Sequence, residues 1–161
     1  MTISTKDLLQ HWHSHAVNTK DPSCKPHEIT RIILEFLRHP SQTFLTLNSV
    51  GTEIPNFFYT RSFERLCSIS LSRNNLATIP SSLASLPSLS AIDLSNNQIS
   101  FIPPYFFEQW TALHKLDLSR NQISFISNHV SHLTNIRFLD LSYPKFRKIN
   151  NFNLIFVFIT H

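Results

Sequence analysis

The stretch Leu66-Cys67-Ser68-Ile69-Ser70-Leu71-Ser72-Arg73-Asn74-Asn75-Leu76 decides how this chain folds. Its form is L-x-x-L-x-L-x-x-N-x-L. The form returns at Leu89, Ile92, Leu94, Asn97 and Ile99, and again at Leu113, Leu116, Leu118, Asn121 and Ile123. A fourth copy, Ile136, Leu139, Leu141 and Phe146, keeps the apolar frame but carries Pro144 in the Asn position. The third apolar position falls at Leu71, Leu94, Leu118 and Leu141, spacings of 23, 24 and 23 residues. Strand alternation sends Ile69 and Leu71 into a core and Ser70 and Ser72 outward. Asn74, Asn97 and Asn121 then fall where the chain turns, and an amide side chain there can satisfy backbone groups stripped from the strand ladder.

After each turn comes a second apolar segment: Ile79-Pro80 with Leu83 and Leu86, Ile102-Pro103 with Phe106, Phe107 and Trp110, and Ile126 with Val130 and Leu133. These are expected to pack the convex side of an array in which no unit buries its apolar face alone. Pattern and period resemble those of leucine-rich repeats, which implies an α/β solenoid, a horseshoe with a parallel β-sheet on its concave face.

Working outward, Thr43 to Pro55 reads as a degenerate opening repeat. Leu45 and Leu47 fit the strand, Leu47 lies 24 residues before Leu71, Val50 replaces the Asn, and the run to Ile54-Pro55 is one residue short. Before it the spacing predicts two helices. Residues 4–17 have Ser4 or Thr5 as cap, Asp7 in the first turn and an apolar stripe of Leu8, Leu9, Trp12 and Ala16. Pro26 opens the second, with Ile29, Ile32, Ile33, Phe36 and Leu37 on one face, and Pro40 ends it. The expected organisation is a two-helix cap over 1–40, about five repeats over 41–149, and an apolar tail over 150–161. The cap would cover the open edge of the first strand. The tail either pairs through its edge with another element or marks a truncated form of a longer array.

Composition bounds the function. The 161 residues are 42% apolar and 15% charged, a globular balance with a net charge of +4. That mild basic bias suits an acidic partner but lacks the dense Lys/Arg clustering of a dedicated nucleic-acid binder. The single glycine, Gly51, excludes glycine-rich phosphate loops. Two cysteines, Cys24 and Cys67, allow no terminal disulfide clusters, so a reducing compartment is expected. Residues 1–10 have no apolar signal-peptide core, and the run Leu154 to Ile159 is too short to span a bilayer.

The helical segment, then Leu45-x-Leu47, Gly51 and Ile54-Pro55, resembles the cap and first repeat of the leucine-rich-repeat effectors that pathogenic bacteria inject into host cells, the IpaH/YopM class. That resemblance implies a host protein as partner and a place in the host cytosol after secretion, with a resident cytoplasmic scaffold as the alternative. The ligase domain of IpaH members uses a Cys-x-Asp motif. Here Cys24 precedes Lys25-Pro26 and Cys67 precedes Ser68-Ile69, so no ligase role carries over. Pro26-His27-Glu28-Ile29, Ile33-Leu34 and Leu37 are also similar to the first helix of an F-box, which implies the alternative of a substrate receptor for a ubiquitin ligase.

No catalytic residue, cofactor or metal is expected. On a helix only His11 and His15 of the run His11, His13, His15 share a face, too few for a metal site without a third ligand. Asp93, Asp117 and Asp140 stack on successive strands, where Lys115, Arg120 and Arg137 are at hand to neutralise them. The informative surface is the concave face, which becomes charged and aromatic toward its last two repeats. Arg73, Asp93, His114, Lys115, Asp117, Arg120, Arg137, Phe138, Asp140 and Tyr143 are the expected partner-binding residues, since Arg and Tyr concentrate at binding hot spots.

Overall fold

The computed structural model describes residues 4–19, 21–52 and 54–142. Helix α1 spans Thr5–Asn18. Ser4 is its cap: its hydroxyl accepts from Asp7 N, and the Asp7 carboxylate accepts from Ser4 N, a reciprocal capping box. Helix α2 spans Pro26–Arg38, with the proline in its first turn, where a missing N–H costs nothing. Leu9 and Ala16 of α1 and Ile29, Ile33 and Phe36 of α2 are buried.

Five three-residue strands follow: β1 Phe44–Thr46, β2 Ser68–Ser70, β3 Ala91–Asp93, β4 Lys115–Asp117 and β5 Phe138–Asp140. They form one sheet in the order β1-β2-β3-β4-β5, every pair parallel. The register stacks Leu45, Ile69, Ile92, Leu116 and Leu139 in one buried column. The next apolar position, Leu47, Leu71, Leu94 and Leu118, makes a second. The strand within Thr43 to Pro55 is thus in register with the others.

The asparagines tie each turn to its neighbours. Asn97 Nδ2 donates to Leu71 O and Leu94 O, both at 3.0 Å, while its Oδ1 accepts from Leu76 N at 3.0 Å. Asn121 repeats this with Leu94 O, Leu118 O and Ile99 N. Asn74 donates to Leu47 O and Leu71 O and accepts from Val50 N and Gly51 N. Val50 can replace an Asn because the first repeat needs none behind it, and the next repeat's Asn serves its turn.

On the convex side the connections are 3₁₀ turns at Arg61–Phe63, Ser81–Ser85 and Asn128–His132 and one short helix, α3, at Pro104–Gln109. The first repeat contributes Phe57, Phe58 and Phe63, all buried and in mutual ring contact, an aromatic layer that the repeat pattern did not disclose. Phe63 stacks on Phe36 of α2 at 5.4 Å, so this layer joins the helices to the array. Further along, Trp110 is buried and its Nε1 donates to Leu83 O of the preceding repeat.

The loop between α1 and α2 docks on the first turn. Lys25 N donates to Val50 O at 2.9 Å, and the Thr52 hydroxyl donates to Asp21. Gly51 permits the approach: its φ is +111°, and a Cβ there would lie 2.4 Å from Ser23 O. The apolar tail over 150–161 lies outside the described residues.

Candidate functional site

Strands that alternate inward and outward leave two side-chain columns on the concave face. The first runs Phe44, Ser68, Ala91, Lys115, Phe138, and the second Thr46, Ser70, Asp93, Asp117, Asp140. Just before the strands, Cys67, Ser90, His114 and Arg137 make a third row, joined by Ser90 N to Cys67 O, His114 N to Ser90 O and Arg137 N to His114 O bonds of 2.8 Å. The expected surface residues Asp93, Lys115, Asp117, Phe138 and Asp140 therefore share one face, while His114, with its Nδ1 buried, and Arg137 line its border. Tyr143 lies outside the described residues.

Charge is handled differently from expectation. Each carboxylate of the acidic column accepts from the backbone N–H two residues on: Asp93 from Ser95, Asp117 from Ser119 and Asp140 from Ser142, at 3.0, 3.0 and 2.8 Å. Asp93 also accepts from the Ser70 hydroxyl at 2.9 Å. Lys115 does not turn to these carboxylates but sets its ammonium 5.1 Å from the centre of the Phe138 ring. One serine row is also different: Ser72, Ser95 and Ser119, expected to point out, are 7%, 8% and 9% exposed and closed off by the turns.

Arg73 and Arg120 belong to a rim rather than to the strands. With Ser49 and Asn96 they occupy the left-handed region at φ of 54–57°, one residue before each Asn position. Their backbone N–H groups continue the ladder, Arg73 to Ser95 O and Arg120 to Ser142 O, and both side chains are exposed. Nothing in an Arg foretells a positive φ, which is uncommon outside Gly, Asn and Asp.

Sequence reasoning also passed over Phe44. It heads the first column and is 60% exposed, the most exposed large apolar residue among those described. The signal was available, since Leu45 and Leu47 inward force Phe44 outward.

Two other features offer less. His13 meets His27 across the helices at 4.7 Å between ring centres, and its Nδ1 bonds the Thr30 hydroxyl, so the pair that forms is not His11 with His15. Among the described residues no three His, Cys, Asp or Glu side chains gather as a metal site. A groove of about 510 Å³ between the first two repeats, where the first turn is one residue short, is lined by uncharged residues such as Ile54, Asn56, Thr78 and Ser81. No helix among the described residues is long and apolar enough to cross a membrane.

Comparison with known proteins gives a consistent answer. The family model described as "Leucine rich repeat" matches residues 55–99 and 88–146, together more than half of the chain. No curated protein matches. The leucine-rich-repeat ectodomain of the receptor kinase SOBIR1 from Arabidopsis thaliana is 29% identical over 66% of this chain and 54% of its own, with a TM-score of 0.50. An internalin (inlF) from Listeria monocytogenes shares 23% identity over 70% of this chain and 32% of its own, TM-score 0.58. The leucine-rich-repeat domain of the type III effector XopL is similar over 88% of this chain and 64% of its own at 17% identity, TM-score 0.60. The chain thus spans from about a third to under two thirds of these structures.

Proposed function

This chain belongs to the leucine-rich-repeat family, whose arrays are protein-interaction modules, and we propose that it docks a partner protein on its concave sheet. The observation that carries this reading is the composition of that face. Five in-register strands align Lys115 with Phe138, with Asp117 and Asp140 in the adjoining column and Arg137 just before the last strand, and Lys115 and Arg137 are exposed. Exposed Arg and aromatic side chains on a rigid floor are the usual anchors of protein interfaces. Repeat stacking fixes their spacing, so little ordering entropy is lost on binding.

Within this reading, the chain is an effector delivered into a host cell, where a host protein is the partner. The resemblance of its cap and first repeat to injected bacterial effectors supports this. The F-box-like face of α2 has another occupation, since Ile29, Ile33 and Phe36 are buried in this chain's own core.

Capture from host lysate, compared between the native protein and a variant with Lys115, Arg120 and Arg137 changed to Ala, tests the docking face. The expected result is a protein retained by the native chain, lost with the variant, and binding the purified native chain directly. Equal recovery of every partner by both overturns the concave-face assignment. A reporter fusion that never enters host cells overturns delivery and leaves docking standing.

A further inference from the structure

We infer that the segment docked on this face is an acidic protein segment carrying an apolar anchor, and not a nucleic acid. The inference rests on the concave-face reading above and names the partner's chemistry.

The first column is uneven. Phe44, 60% exposed, stands at one end and Phe138 at the other, with Ser68 and Ala91 as the low floor beside Phe44. Parallel neighbours lie about 4.8 Å apart, so Phe44 and Phe138 are separated by roughly 19 Å across four strand steps. Between them, small side chains leave room for a bulky apolar group seated over Ala91 against Phe44. Singly exposed apolar side chains are ordinary, but this one borders a floor of small residues on the face that also gathers the charges.

Past the low floor, Lys115 and Arg137 are exposed. Neither is spent on the nearby carboxylates, whose contacts are with serine N–H groups and hydroxyls. Carboxylates on the docked segment, roughly 10 Å beyond its apolar anchor at this strand spacing, meet these cations. The acidic column then decides against a polyanion. Asp93, Asp117 and Asp140 lie two residues further along their strands, about 7 Å from the first column. A phosphate backbone laid across the strands over Lys115 and Arg137 keeps its charge within about 7 Å of this row along its whole course, whereas a protein segment can place its few carboxylates on the far side only.

Fluorescence anisotropy with labelled probes tests this. The probes are a peptide with a Leu anchor followed by Glu residues, the same peptide with Glu changed to Gln, with Glu changed to Lys, with Leu changed to Ser, and a single-stranded oligonucleotide. The anchored acidic peptide is expected to bind about ten-fold tighter than any other probe, the size of effect that one anchor carries. Phe44→Ser and the double variant Lys115→Glu, Arg137→Glu are each expected to remove that preference while melting like the native chain. If another probe binds as well, if the oligonucleotide binds best, or if no probe binds, the assignment of an acidic, anchored segment is overturned. Those results leave concave docking itself intact, because that reading fails only if capture of partners survives the concave-face substitutions.

Discussion

The guanidinium carbon of Arg65 sits 4.5 Å from the centre of the Phe36 ring, and its Nη2 donates to the Phe36 carbonyl oxygen at 3.0 Å. The same group donates to Ser62 O, Gln42 O and His39 O, so one side chain caps the C-terminus of α2 and fastens it to the first repeat. Hydrogen bonds from a charged donor contribute about 1.5–3 kcal/mol, and the ring contact adds to this. Arg65→Ala is expected to lose about 3 kcal/mol in chemical denaturation. Arg65→Lys, which cannot reach several carbonyls at once, should recover less than half of that.

Asn97 serves four backbone groups inside the turn, Leu76 N and the carbonyls of Leu71, Leu94 and Ser95, and it is only 7% exposed. Asn97→Ala orphans Leu76 N and takes one of two amide donors from Leu71 O and Leu94 O, which keep Asn74 and Asn121. With about 1–3 kcal/mol for the one buried group left unsatisfied, the variant should lose about 2 kcal/mol by urea titration. Asn97→Asp keeps an acceptor for Leu76 but turns a charge on two carbonyls, so it should lose at least as much.

Gly51→Ala asks for a Cβ at a position of φ +111° and 2.4 Å from Ser23 O. Both the left-handed backbone and the contact oppose it, at a cost of about 3 kcal/mol if the loop stays docked. The loop is expected to lift instead. Hydrogen exchange at Lys25 N, which donates to Val50 O, should then rise well above exchange in the strands.

The Thr52 hydroxyl, followed by the Ser23 hydroxyl and N–H, holds the Asp21 carboxyl below its ordinary value of 3.8. A carboxyl whose folded value is depressed adds stability above the unfolded value and loses it as pH falls through the folded one. The difference in melting temperature between the native chain and Asp21→Asn should therefore be constant at neutral pH and shrink below about pH 4. A difference that grew in acid would contradict the geometry of this loop.

A chain beginning at Ser41 lacks both helices and bares Phe63 and Leu45, which are buried beneath Phe36 and its neighbours. Burial of each large side chain contributes about 1.5–3 kcal/mol against a total of about 5–15. The shortened chain should aggregate or melt far below the native one in a thermal scan. An unchanged melting temperature would make the helices a separate domain.

The strands, their order and their register followed from Leu71, Leu94 and Leu118 alone, because a buried position recurring every 23 or 24 residues admits one stacking. Ser4 as a cap and Pro26 as a helix start were equally legible, since each acts within one turn. The Asn column was readable as a turn residue, though not as a bridge between repeats. Of the site, the shared column of Lys115 and Phe138 came from alternation within each strand, whereas His114 and Arg137 lie one residue before the strands.

What remained needed the third dimension. Arg65 looks like any surface arginine until the end of α2, with Phe36 O and His39 O, comes together above it with Gln42 O and Ser62 O. Ser72, Ser95 and Ser119 are outward by parity, yet they are buried, each beside the turn that follows its strand. Asp117 and Lys115 are two residues apart and of opposite sign, and proximity alone suggests a pair. The structure gives the carboxylate to Ser119 N and the ammonium to the Phe138 ring, because a backbone donor held rigid at 3.0 Å costs less ordering than a long side chain does. Periodicity in a chain specifies which residues stack. Only the folded array specifies which polar groups already have partners, and so which are left to meet another molecule.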